Sequence, residues 1–430
     1  MSTLSFTLVF LLMIVLMLLG LPIAVSMVLV GAATGFIVFG VPFLSSTGAM
    51  LWGVLNDNLL TAAPLFILLG ELLLRSGMAD RMYGAMSAWL SKLPGGLLHT
   101  NIACCALFAA TSGSSVATAA TVGTVALPSL QARKYPMPQA LGSLAAGGTL
   151  GILIPPSINM ILYGSLTENS IGKLFIAGII PGLLLTGFFM LYILVNSYFK
   201  GDVPREELPP MRERVRQLVH LIPPLVIFGI VMGSLYTGFA TATESAALGV
   251  VVALFFTWQA GRLSWSMLET CFLQTARTTG MIMLIMAAAF VLNLLISLSG
   301  VAETMTKSVT ALGLSATAML LVLIVFYVLL GMFMDVLSML VATVPIVYPI
   351  VKALGVDPIW FGIFIILMCE LALITPPVGM NLFVVQGVRP DRGGIGEVIR
   401  GALPYVVIMM LFTLLLMAFP SIVTYLPGKM

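Results

Sequence analysis

Polar groups are rare inside the apolar stretches of this 430-residue chain, so the few that occur there are candidates for chemistry. The word ATSGSSVATAAT, residues 110–121, is the densest hydroxyl cluster in any apolar region, with Ser112, Ser114, Ser115 and Thr118 grouped around Gly113. Hydroxyls and main-chain carbonyls are oxygen donors that suit alkali cations, and the amides that open a helix can face an anion. The bland alternative is a small-residue helix-packing motif. A second word, GMFMDVLSM at 331–339, carries Asp335, the only acid in its apolar stretch. An intramembrane acid is costly and marks function by default, so Asp335 either ligates a cation or caps the half-helix that follows.

Two proline pairs stand behind these words. GILIPPSINM (151–160) and ALITPPVGMN (372–381) place Pro155 and Pro376 221 positions apart. A proline pair removes two backbone donors and frees carbonyls one turn earlier. In hydrocarbon each unpaired backbone group costs several kcal/mol unless protein, water or an ion satisfies it. Two such breaks, each matched with a polar-tipped hairpin, predict a binding cavity near the membrane midplane. Asn159 and Asn381 follow the breaks closely enough to face them, as substrate donors or as caps.

Other polar residues read more plainly. Glu244 in TATE (241–244) forms an N-terminal capping box, and Glu71 pairs with Arg75 one turn on. Glu370, six residues before Pro376, can carry a proton, pair with a polar group or contact a partner chain. The four cysteines lie in apolar runs as buried thiols, and His99 and His220 do not pair. With no thiolate or imidazole cluster, soft and transition metals are disfavoured. No lysine or arginine lies deep in an apolar run, so an anionic substrate has to be held by helix N-termini, hydroxyls, amides and bound cations. Sodium is the natural coupling ion, and protons through Asp335 or Glu370 are the competitor.

The elements that position these residues are membrane spans. Only 8% of the residues are charged, 60% are apolar and the mean hydropathy is +1.14. A soluble domain carries roughly a quarter charged residues, so the chain is predicted to be an all-α polytopic membrane protein. Its first apolar run is read as a retained span. Spans are expected near 4–21, 22–40, 57–75, 138–168, 175–198, 218–238, 242–260, 276–300, 358–387 and 403–425. The segments near 97–130 and 314–350 are expected to be re-entrant hairpins. With both termini outside, only Lys173, Lys307, Lys352 and Lys429, four of the 19 basic residues, fall on the outer side, while others, Arg205 and Arg392 among them, fall inside. That bias agrees with the resistance of positive charge to translocation.

Five spans and a hairpin per half make the halves inverted relative to each other. LLLRSGMAD (72–80) aligns with LISLSGVAE (295–303), matching Ser76 to Ser299, Gly77 to Gly300 and Ala79 to Ala302. Pro128 and Pro349 each precede their proline pair by 27 residues. The expected organisation is a first inverted repeat over 1–197, a cytoplasmic linker or surface helix over 198–217, and a second repeat over 218–430. Inverted repeats with broken helices are a solution for secondary transport.

The ordered set LTAAPLFILLGELLLRSG, ATSGSSVATAATVGTVALPSL, GILIPPSINMILYG, TATESAALG and ITPPVGMN resembles the large membrane subunit of the tripartite ATP-independent periplasmic (TRAP) transporters, the DctM type. The resemblance covers essentially the whole chain. It implies an elevator-type ion-transporter architecture in the bacterial inner membrane. It also implies a separate small four-span membrane subunit, a periplasmic substrate-binding protein and sodium-driven import of an organic acid such as a dicarboxylate, an oxo acid, a sugar acid or sialic acid. No cofactor is implied beyond the coupling ion. Carried over residue by residue, one sodium site would use Ser112 with backbone oxygens around Gly151, Ile154 and Pro156. A second would use Gly331 and oxygens around Ala372, Thr375 and Val378, with Asp335 nearby. Substrate would lie between the hairpin tips near Ser114, Ser115, Asn159 and Asn381.

The runner-up is a stand-alone sodium- or proton-coupled organic-anion carrier that needs no binding protein. An intramembrane hydrolase on Ser114 or Asp335 lacks a G-x-S-x-G elbow and a histidine near the serines. Paired inverted breaks also favour alternating access over a passive channel.

Overall fold

A computed structural model of the chain describes residues 3–57, 60–201, 209–301, 303, 304, 306, 307, 313–391 and 393–429, with no side-chain detail for 3–7 or 18. Arg205, Ala302 and Arg392 lie outside the described residues. The described secondary structure is helical throughout: α1 Thr3–Leu18, α2 Ile23–Phe39, α3 Val41–Leu55, α4 Ala62–Arg75, α5 Met78–Leu90, α6 Leu97–Ser112, α7 Ser115–Ala132, α8 Met137–Leu153, α9 Ile158–Thr167 and α10 Ile171–Lys200. After the linker come α11 Met211–Gln217, α12 Ile222–Tyr236, α13 Ala242–Gln259, α14 Trp265–Ser299, α15 Ala316–Gly331, α16 Val336–Ala353, α17 Pro358–Ile374, α18 Met380–Gly387, α19 Ile395–Ala418 and α20 Ser421–Thr424. Seven helical stretches of the described chain are long and apolar enough to cross a bilayer, or eight if the bent pair α4–α5 counts as one span. The expected spans 4–21 and 22–40 take the form of shorter apolar helices, and 358–387 divides into α17 and α18.

Local signals explain where the helices start and stop. Hydroxyl and carboxylate side chains cap the starts: Ser114 accepts from Ala117 N, Ser264 from Met267 N, Ser315 from Ala318 N, and Asp357 from Trp360 N. Thr241 and Glu244 form the expected capping box at the start of α13. Gly77 (φ +71°) separates α4 from α5 at a 68° bend, and Gly300 (φ +64°) ends α14. Left-handed backbone suits glycine because no Cβ meets the carbonyl. Ser76 and Ser299, just before these glycines, donate to Leu73 O (2.7 Å) and Ile296 O (2.9 Å), so the two aligned words adopt the same local conformation. The linker is partly helical. Trp89 Nε1 donates to Arg214 O at 3.1 Å, and the Arg214 guanidinium lies 4.5 Å from the Trp89 ring, which pins α11 to α5.

Burial separates a centre from a periphery. Of the most apolar window of α8 and α9 together, 94% is buried in protein, against 28% for α11–α12. The centre is therefore shielded from lipid, whereas exposed residues such as Ile37, Trp52 and Phe199 belong to the outside. Around α8 pack α6 and α7 on one side and α17, α18 and α19 on others, so the first half's broken helix is enclosed by both halves. At the α8–α19 crossing, a methyl on Gly142 would overlap the Gly401 carbonyl, and one on Gly401 would overlap the Pro138 carbonyl. The two main chains touch there.

Candidate binding site at the helix breaks

Each Pro-Pro pair does interrupt a helix. α8 gives way to α9 across 154–157, and α17 to α18 across 375–379. The Pro155–Pro156 and Pro376–Pro377 peptide bonds are both cis. Helix pairs α6–α7 and α15–α16 form the two expected hairpins, turning at 113–114 and 332–335.

The first hairpin tip sits directly on the first break. Gly113 adopts φ +63°, and a methyl there would lie 2.7 Å from Pro156 O. A methyl on Gly151 would lie 2.7 Å from Ser114 O, and one on Gly70 2.9 Å from Ser112 O. Glycine at these positions lets the Pro156, Ser114 and Ser112 carbonyls each lie close against a neighbouring main chain. The hydroxyls are organised around them: Ser112 Oγ and Thr118 Oγ1 are 3.1 Å apart, and Thr118 donates to Ser114 O at 2.7 Å. Ser112, Ser115 and Thr118 are buried. Ser114 caps α7, so its hydroxyl accepts from Ala117 N at 3.3 Å. Ser112, Gly151, Pro156, Ser114 and Ser115 are thus brought together. The Ile154 side chain packs against Gly182 on α10, which leaves the role expected of its main-chain carbonyl untouched. Ser157, which sequence reasoning passed over, is fully buried next to Pro156 with no hydrogen-bond partner for its hydroxyl.

The second tip is arranged differently. Gly331 packs against Ala372, where a methyl on the glycine would lie 2.5 Å from the alanine Cβ. Asp335 caps α16, its carboxylate accepting from Ser338 N at 3.1 Å and from the Ser338 hydroxyl. The local capping role is therefore present. Thr375 Oγ1 donates back to Leu371 O at 2.6 Å, and Val378 is exposed in the 375–379 break. Gly331 and Ala372 come together, while Asp335 is turned to its own helix. A cavity of about 610 Å³ opens beside Asp335 and Ser338, walled by Met334 and by Met17, Leu21 and Pro22 of the α1–α2 turn. Ser114, Ser115, Asn159 and Asn381 do not line it.

The two asparagines behave unequally. Asn159 lies buried in the first turn of α9. Asn381, in the first turn of α18, reaches into the other half: its Nδ2 donates to Ala145 O on α8 at 3.3 Å, while its buried Oδ1 has no partner. A methyl on Gly148 would lie 3.1 Å from Asn381 Nδ2, so the glycine makes room for the amide. Glu370 is fully buried on α17; neither carboxyl oxygen makes a well-formed hydrogen bond, and the Leu153 amide at the end of α8 is the polar group facing it. Unpartnered acceptors at Ser157, Asn381 and Glu370 therefore gather around the junction of α8 with the second half.

A supporting network was not foreseen. Tyr83 OH donates to Asn101 Oδ1 at 2.9 Å, and Asn101 Nδ2 donates to Ser143 Oγ at 2.8 Å, tying α5, α6 and α8 together in the buried centre. Beyond α18, the buried Arg389 guanidinium binds Asp391, Glu397 and Gly394 O, and Gln386 donates to Gly393 O at 2.6 Å. The Arg389 hydrogen bond holds the Asp391 carboxyl below the usual carboxylate range. Among the described residues no cluster of histidine, cysteine and carboxylate could hold a metal. The donors at the first tip are hydroxyls and main-chain carbonyls, which can bind a hard monovalent cation.

Residues 10–422 match the family model described as "Tripartite ATP-independent periplasmic transporter, DctM component". The chain is 36% identical over 94% of its length, and 94% of the relative's, to the C4-dicarboxylate TRAP transporter large permease protein of Pseudomonas aeruginosa. It is 30% identical, over 95% of each chain, to the sialic acid TRAP transporter large permease protein of Vibrio cholerae. Among solved structures, the YdaH transporter of Alcanivorax borkumensis aligns with a TM-score of 0.60, at 17% identity and over 90% of each chain, a likeness of fold.

Proposed function

Because the chain belongs to the DctM component family of tripartite ATP-independent periplasmic transporters, we propose that it is the large membrane subunit of a sodium-coupled importer of a small organic acid. This polytopic membrane protein works in the bacterial inner membrane with a small membrane subunit and a periplasmic binding protein that delivers the substrate. Its two halves are inverted repeats, its termini are periplasmic, and the hairpin-bearing domain moves as an elevator. One observation carries the coupling: the first hairpin tip packs on the first break through glycines, with the Ser112, Ser114 and Pro156 carbonyls each against a neighbouring glycine and the Ser112–Thr118 hydroxyl pair between hairpin arms. Such a set of hard-oxygen donors, without a fixed cation, suits sodium, and a bound cation offsets the charge of an organic anion held nearby by Asn381 and the start of α7. Asp335 and Gly331 with Ala372, Thr375 and Val378 form the second candidate cation position. The names of the relatives, C4-dicarboxylate and sialic acid, frame the substrate as a carboxylic acid.

The deciding experiment is radiolabelled uptake into proteoliposomes holding this chain and its small partner. A panel of organic acids is tested with and without a sodium gradient and the cognate binding protein. Uptake needing both supports the reading; sodium-driven uptake without the binding protein would make the chain a stand-alone carrier.

A further inference from the structure

Two cavities on the outside of the bundle share one residue. The first, about 290 Å³, lies where α10 ends and α19 begins and is lined by Lys200, Arg400, Asn196 and Gln139. The second, about 430 Å³, is a mainly apolar cleft between the same helices, lined by Phe188, Leu191, Val195, Leu411 and Leu415. Tyr192 lines both. Its ring packs edge-on against Tyr405 with centroids 5.1 Å apart, so the two cavities adjoin at an aromatic pair.

The combined cleft has a cationic head and a greasy tail. Lys200 and Arg400 are exposed, and neither has an ion-pair partner among the described residues. From Phe188 to Lys200, α10 advances roughly 18 Å at about 1.5 Å per residue. That is close to one leaflet, half of an about 30 Å hydrocarbon core. Leu191 and Leu411 are more than half exposed, which opens the cleft sideways to the bilayer. A soluble anion would use the basic end and leave the apolar cleft to no purpose. A detached hydrocarbon would leave the charges unanswered.

We propose that this cleft holds one anionic glycerophospholipid, its phosphate between Lys200 and Arg400 and an acyl chain along the α10–α19 groove. The lipid seals the outside of the α8–α19 crossing, since Gly401 and Pro138 line the same head cavity. It belongs to the leaflet facing the side rich in Lys and Arg, where anionic lipids attract basic side chains.

Native mass spectrometry of the purified protein titrated with phosphatidylglycerol or phosphatidylcholine tests this. The wild-type protein should retain one phosphatidylglycerol about tenfold more tightly than phosphatidylcholine. K200Q/R400Q should abolish that preference, and V195W/L411W, which fills the groove and keeps both charges, should weaken retention of both lipids. K173Q, at the opposite end of α10 from Lys200, should change nothing. Unaltered phosphatidylglycerol retention in K200Q/R400Q, or an equal loss in K173Q, would overturn the proposal. Full retention by V195W/L411W with displacement by inorganic phosphate would also overturn it, making the head cavity a free phosphate site.

Discussion

The side-chain amide of Asn381, in the second half of the chain, donates to the main-chain carbonyl of Ala145 in the first half, 236 residues away, at 3.3 Å. Its other polar atom, Oδ1, is buried and unpaired. One end of the amide thus fastens α18 to α8, and the other is an acceptor open to a hydroxyl donor, which on the proposed reading belongs to the substrate. In N381A the substrate concentration for half-maximal uptake should rise about fivefold, the factor that a lost hydrogen bond of about 1 kcal/mol corresponds to. Uptake at wild-type levels with a lowered melting temperature would reduce Asn381 to a packing residue.

Ser112 and Thr118 should act as a pair. S112A is expected to raise the sodium concentration for half-maximal uptake several-fold while maximal uptake is kept, and T118V should do the same. Combining them should cost less than the two effects added, because each hydroxyl orients the other across 3.1 Å. Sodium titrations of uptake for the double-mutant cycle measure this; strictly additive effects would separate the two hydroxyls.

The cap that Asp335 forms and the cation role proposed for it can be separated by substitution. Asparagine can keep the cap on Ser338 N, whereas alanine cannot. D335A should therefore lower stability by about 1 kcal/mol, and D335N should melt near the wild type. If the charge also serves cation binding, D335N will weaken sodium-dependent uptake with its melting curve intact. Wild-type sodium dependence in D335N would leave capping as the whole role.

The loop after α18 should be sensitive to acid. The Asp391 carboxyl is held below its ordinary pKa of about 3.9 by Arg389. A group depressed in the folded state adds stability above its unfolded pKa and loses that contribution as pH falls through the lower folded value. D391N should therefore lower the melting temperature at pH 7, and the gap to wild type should narrow in strongly acidic buffer. A gap that is constant across that range would show that the ion pair contributes little.

A methyl at Gly401 has nowhere to go, since it would meet the Pro138 carbonyl, which is main chain. G401A should cost about 1–3 kcal/mol, the usual range for overpacking, and G187A, where nothing lies near, should be close to neutral. Melting curves of the two variants in one detergent compare them directly.

Features set by local chemistry were legible in the sequence. Proline pairs in the interior of an apolar helix break it, whereas Pro223–Pro224 is tolerated in the first turn of α12, and the Thr241–Glu244 box and the Glu71–Arg75 pair formed as read because their partners lie within one turn. The hairpins followed from polar words in apolar runs. What escaped depends on distant residues meeting. Tyr83, Asn101 and Ser143 each look like an isolated polar residue until three helices bring them together. Gly142 and Gly401 read as ordinary small residues until their backbones touch. Asp335 stayed open because a cap and a ligand require the same residue in the same place.

The touching backbones of α8 and α19 also bear on which parts can move. Side chains at a helix contact can change rotamer and let one helix ratchet past another. A seam of bare main chain at Pro138, Gly142 and Gly401 has no such freedom. One of its helices comes from the first half of the sequence and the other from the second, so any displacement during transport carries both as a single solid piece. On the proposed elevator reading, the boundary of the moving part therefore cuts across the two halves of the sequence, not between them.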